Sequence, residues 1–123
     1  MNEDAFELEV PPLAEYLGTA RSFVAAVARR SGAVGEAVED LKLAASEACT
    51  DVMASGRTVR IRAISRDGAL GFEIDAADRP SVAEGLDEIG APARIDLVRA
   101  LFPDAAVSDV GGRAVISFTL PLP

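Results

Sequence analysis

The stretch that decides the fold is "DLKLAASEACTDVMASG", residues 40–56. Its apolar residues recur at helical spacing and a Ser-Gly pair follows them, so it predicts a helix that ends near residue 54. Two carboxylates in it, Glu47 and Asp51, are four residues apart and therefore share one face of that helix. The residues alone leave three interpretations of this pair open: a catalytic site, the remnant of one, or a solvated helix face.

The predicted helix begins near residue 36, and its inward face is defined by small and branched apolar side chains. That face consists of Val38, Leu41, Ala44, Ala45, Ala48 and Val52. The segment before it predicts a strand at 6–10, where "FELEV" alternates apolar and acidic residues. After a Pro-Pro break, apolar residues at helical spacing predict a helix over 13–30, with Gly32 placed to cap its carboxyl end.

The segment after residue 56 predicts a hairpin. "TVRIRAIS" at 58–65 and "LGFEIDA" at 70–76 alternate with period two, and the four residues 66–69 between them suit a tight turn. The remaining predicted elements are, in chain order, a loop at 77–91, a helix at 93–102, and strands near 105–109 and 113–120.

This order of elements predicts the fold class. We expect an α+β fold: a two-layer α/β sandwich with the helices packed on one face of a mixed, mostly antiparallel sheet. A chain of 123 residues suits a single domain over 1–123.

Composition excludes several classes of function. Twelve basic residues stand against twenty acidic ones, a net charge of −8, so nucleic acid and anionic membranes are poor partners, whereas a basic protein surface suits the chain. The absence of histidine excludes Ser-His triads and the usual zinc sites. A single cysteine, Cys49, excludes an internal disulfide, and the acidic amino terminus is unlike a signal peptide. We therefore expect a cytoplasmic protein.

The chain resembles the small anti-sigma-factor serine kinases of the GHKL ATPase superfamily, in their actinobacterial form. "DLKLAASEACTD" at 40–51 is similar to that family's E-x-x-x-N helix. The ending "LVRALFPDAAVSDVGGRAVISFTLPLP" at 97–123 is similar to its closing helix and hairpin. The resemblance implies a GHKL, Bergerat-like ATPase fold and a nucleotide site built from three sequence boxes.

In the first box the resemblance assigns Glu47 the role of catalytic base. Asp51 stands where the family has the asparagine that binds magnesium, and its oxygen can also bind Mg²⁺. In the second box Asp75 corresponds to the acceptor of the adenine amino group, although an aspartate at a strand end is otherwise more often a turn or capping residue. Ala77 replaces a glycine there, and its Cβ obstructs the approach of the base.

In the third box the family holds phosphates with the backbone N–H groups of a Gly-x-Gly-Leu motif. Here Pro92 and Arg94 occupy the two glycine positions. Proline has no N–H to donate, and only the side chain of Arg94 is left to contact a phosphate. The segment before it carries Glu84, Asp87 and Glu88, which would repel a triphosphate.

These departures predict a degenerate ATP site without a cofactor. The resemblance then implies a regulator of transcription that binds a sigma factor or an anti-anti-sigma (STAS) partner, with homodimerisation as a further association. The alternative is an active kinase that uses ATP and Mg²⁺ to phosphorylate such a partner. A third hypothesis is a scaffold, or a binder of another small ligand. For the partner surface we single out Arg21, Arg29 and Arg30, which can equally form a solvated helix face.

Overall fold

The computed structural model describes residues 4–77 and 95–123, which form a helical layer on one face of a β-sheet. The strands are β1 (Asp4–Val10), β2 (Val59–Arg66), β3 (Ala69–Ala76), β4 (Ala106–Val110) and β5 (Arg113–Pro121). The helices are α1 (Leu17–Arg30), α2 (Glu36–Met53) and α3 (Asp96–Leu101), and one turn of 3-10 helix, Ala14–Tyr16, precedes α1. The predicted α+β fold and the order of its helices and strands are confirmed, whereas the predicted loop at 77–91 lies, beyond residue 77, outside the described residues.

The sheet formed by these residues has the strand order β1-β2-β3-β5-β4. Each of its neighbouring pairs is antiparallel, so the sheet is more regular than the mixed sheet expected from the sequence. The predicted turn between β2 and β3 is present: Arg66 pairs with Ala69, and Asp67 and Gly68 have φ of 49° and 77°. Positive φ at both central positions is the mark of a type I′ turn, whose twist matches that of the strands.

The hydrophobic core lies between the sheet and the helices. All the residues predicted for the inward face of α2 are buried, so this part of the sequence interpretation is confirmed. At the other end of the core, Phe118 of β5 packs against Phe72 of β3 and Phe102 after α3, with ring centroids 5.5 and 5.0 Å apart. This aromatic group joins the sheet to α3.

The other face of the sheet, which we call the open face, carries the side chains that alternate with the core positions. Its charged members are Glu7, Glu9, Arg60, Arg62, Arg66, Glu73, Asp75 and Arg113. Arg62 lies 3.9 Å from Glu7 and 3.2 Å from Glu73 across the neighbouring strands, in contacts that are close to half exposed. Such exposed pairs contribute less than about 1 kcal/mol each.

Within the part of the chain that the structure describes, no helix is both long enough and apolar enough to cross a membrane.

Candidate functional site

Helix α2 places Glu47 and Asp51 on its outer surface. Ala44, Ala48 and Cys49 are fully buried on the inner face, which turns the intervening Glu47 toward solvent, where it is exposed. Asp51 follows one turn later and is half-buried. The helix therefore presents the two carboxylates one above the other, as the four-residue spacing predicts.

Asp75 has a different environment, since its carboxylate is buried in an ion-pair cluster. Its side chain is only 5% exposed and receives two hydrogen bonds from Arg60, with Nε 3.0 Å from Oδ1 and Nη2 2.7 Å from Oδ2. Arg113 lies on its other side, with Nη1 3.4 Å from Oδ2 and 3.3 Å from the carbonyl oxygen of Ala76. The hydrogen bonding of Arg60 to the Asp75 carboxylate, which accepts, raises the pKa of Arg60 above its ordinary value. We call these three residues the Asp75 cluster.

The structure does not bring Glu47 and Asp75 together. Ile74 and its strand partner Ile61 are fully buried in the core beneath the helices. Successive side chains of a strand point to opposite faces, so Asp75 and its partner Arg60 lie on the open face, away from α2. Arg60 and Arg113 were missed by the sequence interpretation. The face on which Asp75 lies could have been found from the sequence, because the alternation of side chains in "LGFEIDA" already separates Asp75 from the core positions.

The other residues assigned to nucleotide lie at or beyond the end of β3. The backbone N–H of Ala77 donates to the carbonyl of Thr58 at 2.8 Å, which extends the pairing of β2 and β3 by one step. Arg94, Pro92 and the acids at 84, 87 and 88 lie outside the described residues. Their predicted roles therefore stay predictions.

Among residues 4–77 and 95–123 no group of three or more Cys, Asp or Glu side chains is arranged to hold a metal ion. Asp51, with Glu47 one turn before it, gives two carboxylates, and a magnesium site there would need further oxygen ligands.

Cys49 is a buried core residue of α2. Burial raises the pKa of its thiol to about 12. Because the thiolate is the nucleophile, a thiol that stays protonated near neutral pH is inert. Cys49 therefore packs as a small apolar side chain, as its neighbours in the sequence suggested.

A cleft with a positive lining lies between α1 and α2, on an otherwise acidic protein. It has a volume of about 330 Å³ and is lined by Gly18, Arg21, Ser22, Ala25, Arg29 and Lys42. Arg21 is held in place by a hydrogen bond from its Nη1 to Ser46 Oγ at 2.8 Å, and Lys42 is paired with Glu39 at 3.4 Å. We call this feature the basic cleft. Lys42 joins it from the neighbouring helix, a contact that the sequence alone did not indicate.

Comparison with known proteins gives the family of the chain and some of its relatives. Residues 10–113 match the model of the histidine kinase-like ATPase domain. The chain is 47% identical over 55 residues to the serine-protein kinase RsbW of Bacillus pumilus (strain SAFR-032), an alignment that covers 43% of this chain and 34% of that protein. It is 44% identical over 52 residues to serine-protein kinase RsbW of Bacillus subtilis (strain 168), covering 42% of this chain and 32% of the relative. The alignments thus span about a third of the length of these curated relatives.

Proposed function

The chain belongs to the histidine kinase-like ATPase domain family, and from this premise we propose that it is an anti-sigma-type regulator of transcription. In this proposal residues 1–123 act as one domain in the cytoplasm and bind a sigma factor or an anti-anti-sigma (STAS) protein. Binding, rather than phosphate transfer, is the activity. The partial similarity to proteins named serine-protein kinase RsbW supports a relationship to that group of regulators. A fold can keep a binding function after the chemistry of its site has changed.

The observation that carries this proposal is the Asp75 cluster. The resemblance assigns the Asp75 oxygens to the adenine amino group, yet both oxygens already accept hydrogen bonds from Arg60. Displacing the Arg60 guanidinium would leave this buried carboxylate with only the longer contact to Arg113, and weakening a buried ion pair costs free energy. The cluster also lies on the open face, across the sheet from Glu47. Both facts argue against a working adenine site at this position.

The sequence adds two further arguments against nucleotide binding. Ala77 brings a Cβ where the family has glycine, and Pro92 removes a backbone donor from the phosphate box. We therefore propose a degenerate site in which Glu47, Asp51, Ala77 and Arg94 occupy the family's functional positions without forming a nucleotide pocket.

A thermal-shift titration with Mg²⁺-ATP tests this proposal. We expect no rise in the melting temperature over Mg²⁺ alone, because a ligand that does not bind the native state cannot stabilise it. A ligand at a hundred times its dissociation constant would add about 2.7 kcal/mol to the free energy of unfolding. A rise of that size, or calorimetric binding in the micromolar range, would contradict the degenerate site.

The alternative function, an active serine kinase, is favoured by one feature: Glu47 is exposed on α2, where it can reach a substrate. In that mechanism Glu47 would take the proton of the partner's serine hydroxyl as the serine oxygen attacks the γ-phosphorus of ATP. The bond from that phosphorus to the β,γ-bridging oxygen would break and ADP would leave, and Asp51 would contribute to binding Mg²⁺. Transfer of labelled phosphate to a partner serine, abolished by Glu47→Gln with the melting temperature unchanged, would establish this activity and refute our proposal.

For the partner surface we propose the basic cleft together with Arg30 at the end of α1. In this proposal an acidic patch of the partner meets these arginines, although the chain as a whole is acidic. The triple variant Arg21→Glu, Arg29→Glu, Arg30→Glu is therefore expected to weaken binding of the isolated partner by tenfold or more, since like charges across an interface cost several kcal/mol. Binding to the unaltered chain should also weaken as salt rises. Isothermal titration against the partner, captured from the native cytoplasm, measures both effects.

Arg29→Glu alone provides a variant that leaves the Arg21–Ser46 contact intact. Its matched control is Arg66→Glu, which changes the net charge equally on the open face. If the cleft variants and the control bind alike, the interface lies elsewhere on the protein.

A further inference from the structure

The basic cleft is centred on a short side chain. Ala25 of α1 lines the cleft and is only 3% exposed. Arg21 and Arg29, which also line the cleft, lie one turn before and one turn after Ala25 and therefore share its face of the helix. Because the methyl group of Ala25 is short, the space between the two arginines stays open.

Helix α2 places a third cation across the cleft. The connection between α1 and α2, residues 31–35, is short, so the two helices run antiparallel. Arg21 of α1 contacts Ser46 of α2 through a hydrogen bond of 2.8 Å. One turn nearer to the connection lie Ala25 on α1 and Lys42 on α2, which therefore face each other. Three cations, two from α1 and one from α2, thus surround Ala25.

The positive charge of the cleft is only partly neutralised. Among the residues that the structure describes, no carboxylate forms an ion pair with Arg21 or Arg29. Lys42 pairs with Glu39 at 3.4 Å, but the glutamate side chain is 65% exposed, and such a pair is easily exchanged for another partner. Three cations against one carboxylate leave a local charge of +2 on a chain whose net charge is −8.

The polar groups of the cleft determine the chemistry of a fitting ligand. Guanidinium and ammonium groups donate hydrogen bonds and cannot accept them, so the ligand must be rich in acceptors. The exposed hydroxyl of Ser22 lies in the same lining. Gly18 completes it, and a Cβ there would lie 3.8 Å from Nη2 of Arg21, an ordinary contact. The fold thus tolerates alanine, the better helix former, at position 18, whereas glycine leaves the approach to Arg21 open.

We propose that the basic cleft binds a phosphate dianion over Ala25, either as inorganic phosphate or as the phosphate monoester of a larger molecule. A phosphate monoester carries a charge of about −1.5 to −2 at neutral pH and three acceptor oxygens. Three cationic donors on three sides of one space match such a group. A carboxylate has one charge and two oxygens, so it satisfies fewer of these donors.

The phosphate site lies within the surface proposed for the partner. Phosphate therefore competes with the partner, a consequence that rests on the proposed function. Binding of phosphate to the isolated chain does not rest on it, and the experiment uses the chain alone. Nucleotide bound at the family's site would perturb α2 near Glu47 and Asp51 instead, so the outcome for the cleft and the outcome for the ATP site are distinguishable.

A titration of the isotope-labelled chain with sodium phosphate, followed by amide resonances in two-dimensional NMR, tests the proposal. The pH is held above the second pKa of phosphate, which is about 6, and the ionic strength is kept constant with sodium chloride. We expect saturable shifts of the amides of Gly18, Ser22 and Ala25. Acetate in place of phosphate should bind about tenfold more weakly, the loss for one charge-assisted hydrogen bond.

Two variants at exposed positions locate the site. Arg29→Gln removes one cation and should weaken phosphate binding by about tenfold. Ser22→Asp brings a carboxylate into the cleft and should abolish saturable binding, because like charges repel. The control is Arg66→Gln, which removes the same charge from the open face and should leave phosphate binding unchanged. The dispersion of the amide spectrum reports whether each variant is folded.

A short peptide distinguishes the two sources of the phosphate group. If an acetylated Gly-phosphoserine-Gly amide binds more tightly than inorganic phosphate, the natural ligand is a phosphorylated protein segment. If the affinities are equal, it is free phosphate or a small phosphate monoester, and both results support the site. Shifts that do not saturate, equal affinity for acetate, or equal weakening by Arg29→Gln and Arg66→Gln would overturn the proposal.

Discussion

Replacing Asp75 with alanine is expected to lower the free energy of unfolding by about 3 kcal/mol. The change leaves Arg60 and Arg113 without their shared carboxylate, in a cluster where the aspartate side chain is only 5% exposed. Removing one member of a buried ion pair costs about 3–5 kcal/mol. We place the loss at the lower end of that range because the two arginines are 21% and 24% exposed and regain some hydration.

Urea denaturation followed by circular dichroism measures this loss. Glu73→Ala is the matched control, since Glu73 occupies the same strand and face, yet its contact with Arg62 is about 40% exposed on both sides. We expect the control to lose less than about 1 kcal/mol. A double-mutant cycle with Arg60→Ala measures the coupling free energy between Asp75 and Arg60, because the effects of substitutions within one ion-pair network do not add. Equal, small losses for Asp75→Ala and Glu73→Ala would mean that the cluster does not stabilise the fold.

Truncating Phe118 to alanine is expected to cost about 3–5 kcal/mol, the range for large-to-small changes at buried aromatic positions. Phe118 is 2% exposed, and its ring packs against both Phe72 and Phe102. The truncation therefore opens a cavity where the sheet meets α3, and the two remaining rings lose their shared neighbour. The measurement is again equilibrium unfolding in urea, read as a shift of the midpoint at unchanged slope.

Phe118→Leu is the control for this prediction, because it keeps most of the apolar volume and should cost much less than the alanine variant. If the two substitutions are equally destabilising, the aromatic packing rather than the filled volume carries the energy. A loss below about 1 kcal/mol for Phe118→Ala would show that the ring is not part of the stabilising core.

The fold was predictable from the sequence where one period dominated a segment. The helical spacing of the α2 face and the alternation in β2 and β3 identified these elements and their buried sides, since each buried face must repeat with the period of its backbone. The first turn of the predicted helix at 13–30 is instead a 3-10 turn at Ala14–Tyr16. The number of residues per turn in a 3-10 helix differs from that in an α-helix by less than one. Over a single turn the spacing of apolar residues therefore could not distinguish the two kinds of helix.

The candidate site was less predictable, because it depends on contacts between segments distant in sequence. Arg60 and Asp75 are fifteen residues apart, and Arg113 follows much later in the chain. Their meeting requires the pairing of β2 with β3 and of β3 with β5, which no local pattern specifies. The resemblance assigns Asp75 to adenine, and that role stays a prediction, whereas the period of its strand already indicates the face of the sheet on which its side chain lies.

The two sides of α2 determine which of its positions can change over evolutionary time. Ala44, Ala45 and Ala48 are fully buried, so a larger side chain there would press the helix away from its neighbours, at a cost of about 1–3 kcal/mol. Glu47 and Thr50 are exposed, and substitutions at such positions usually alter stability by no more than about 0.5 kcal/mol. A lineage can therefore lose or regain the carboxylate at position 47 by single substitutions, with a folded protein at every step.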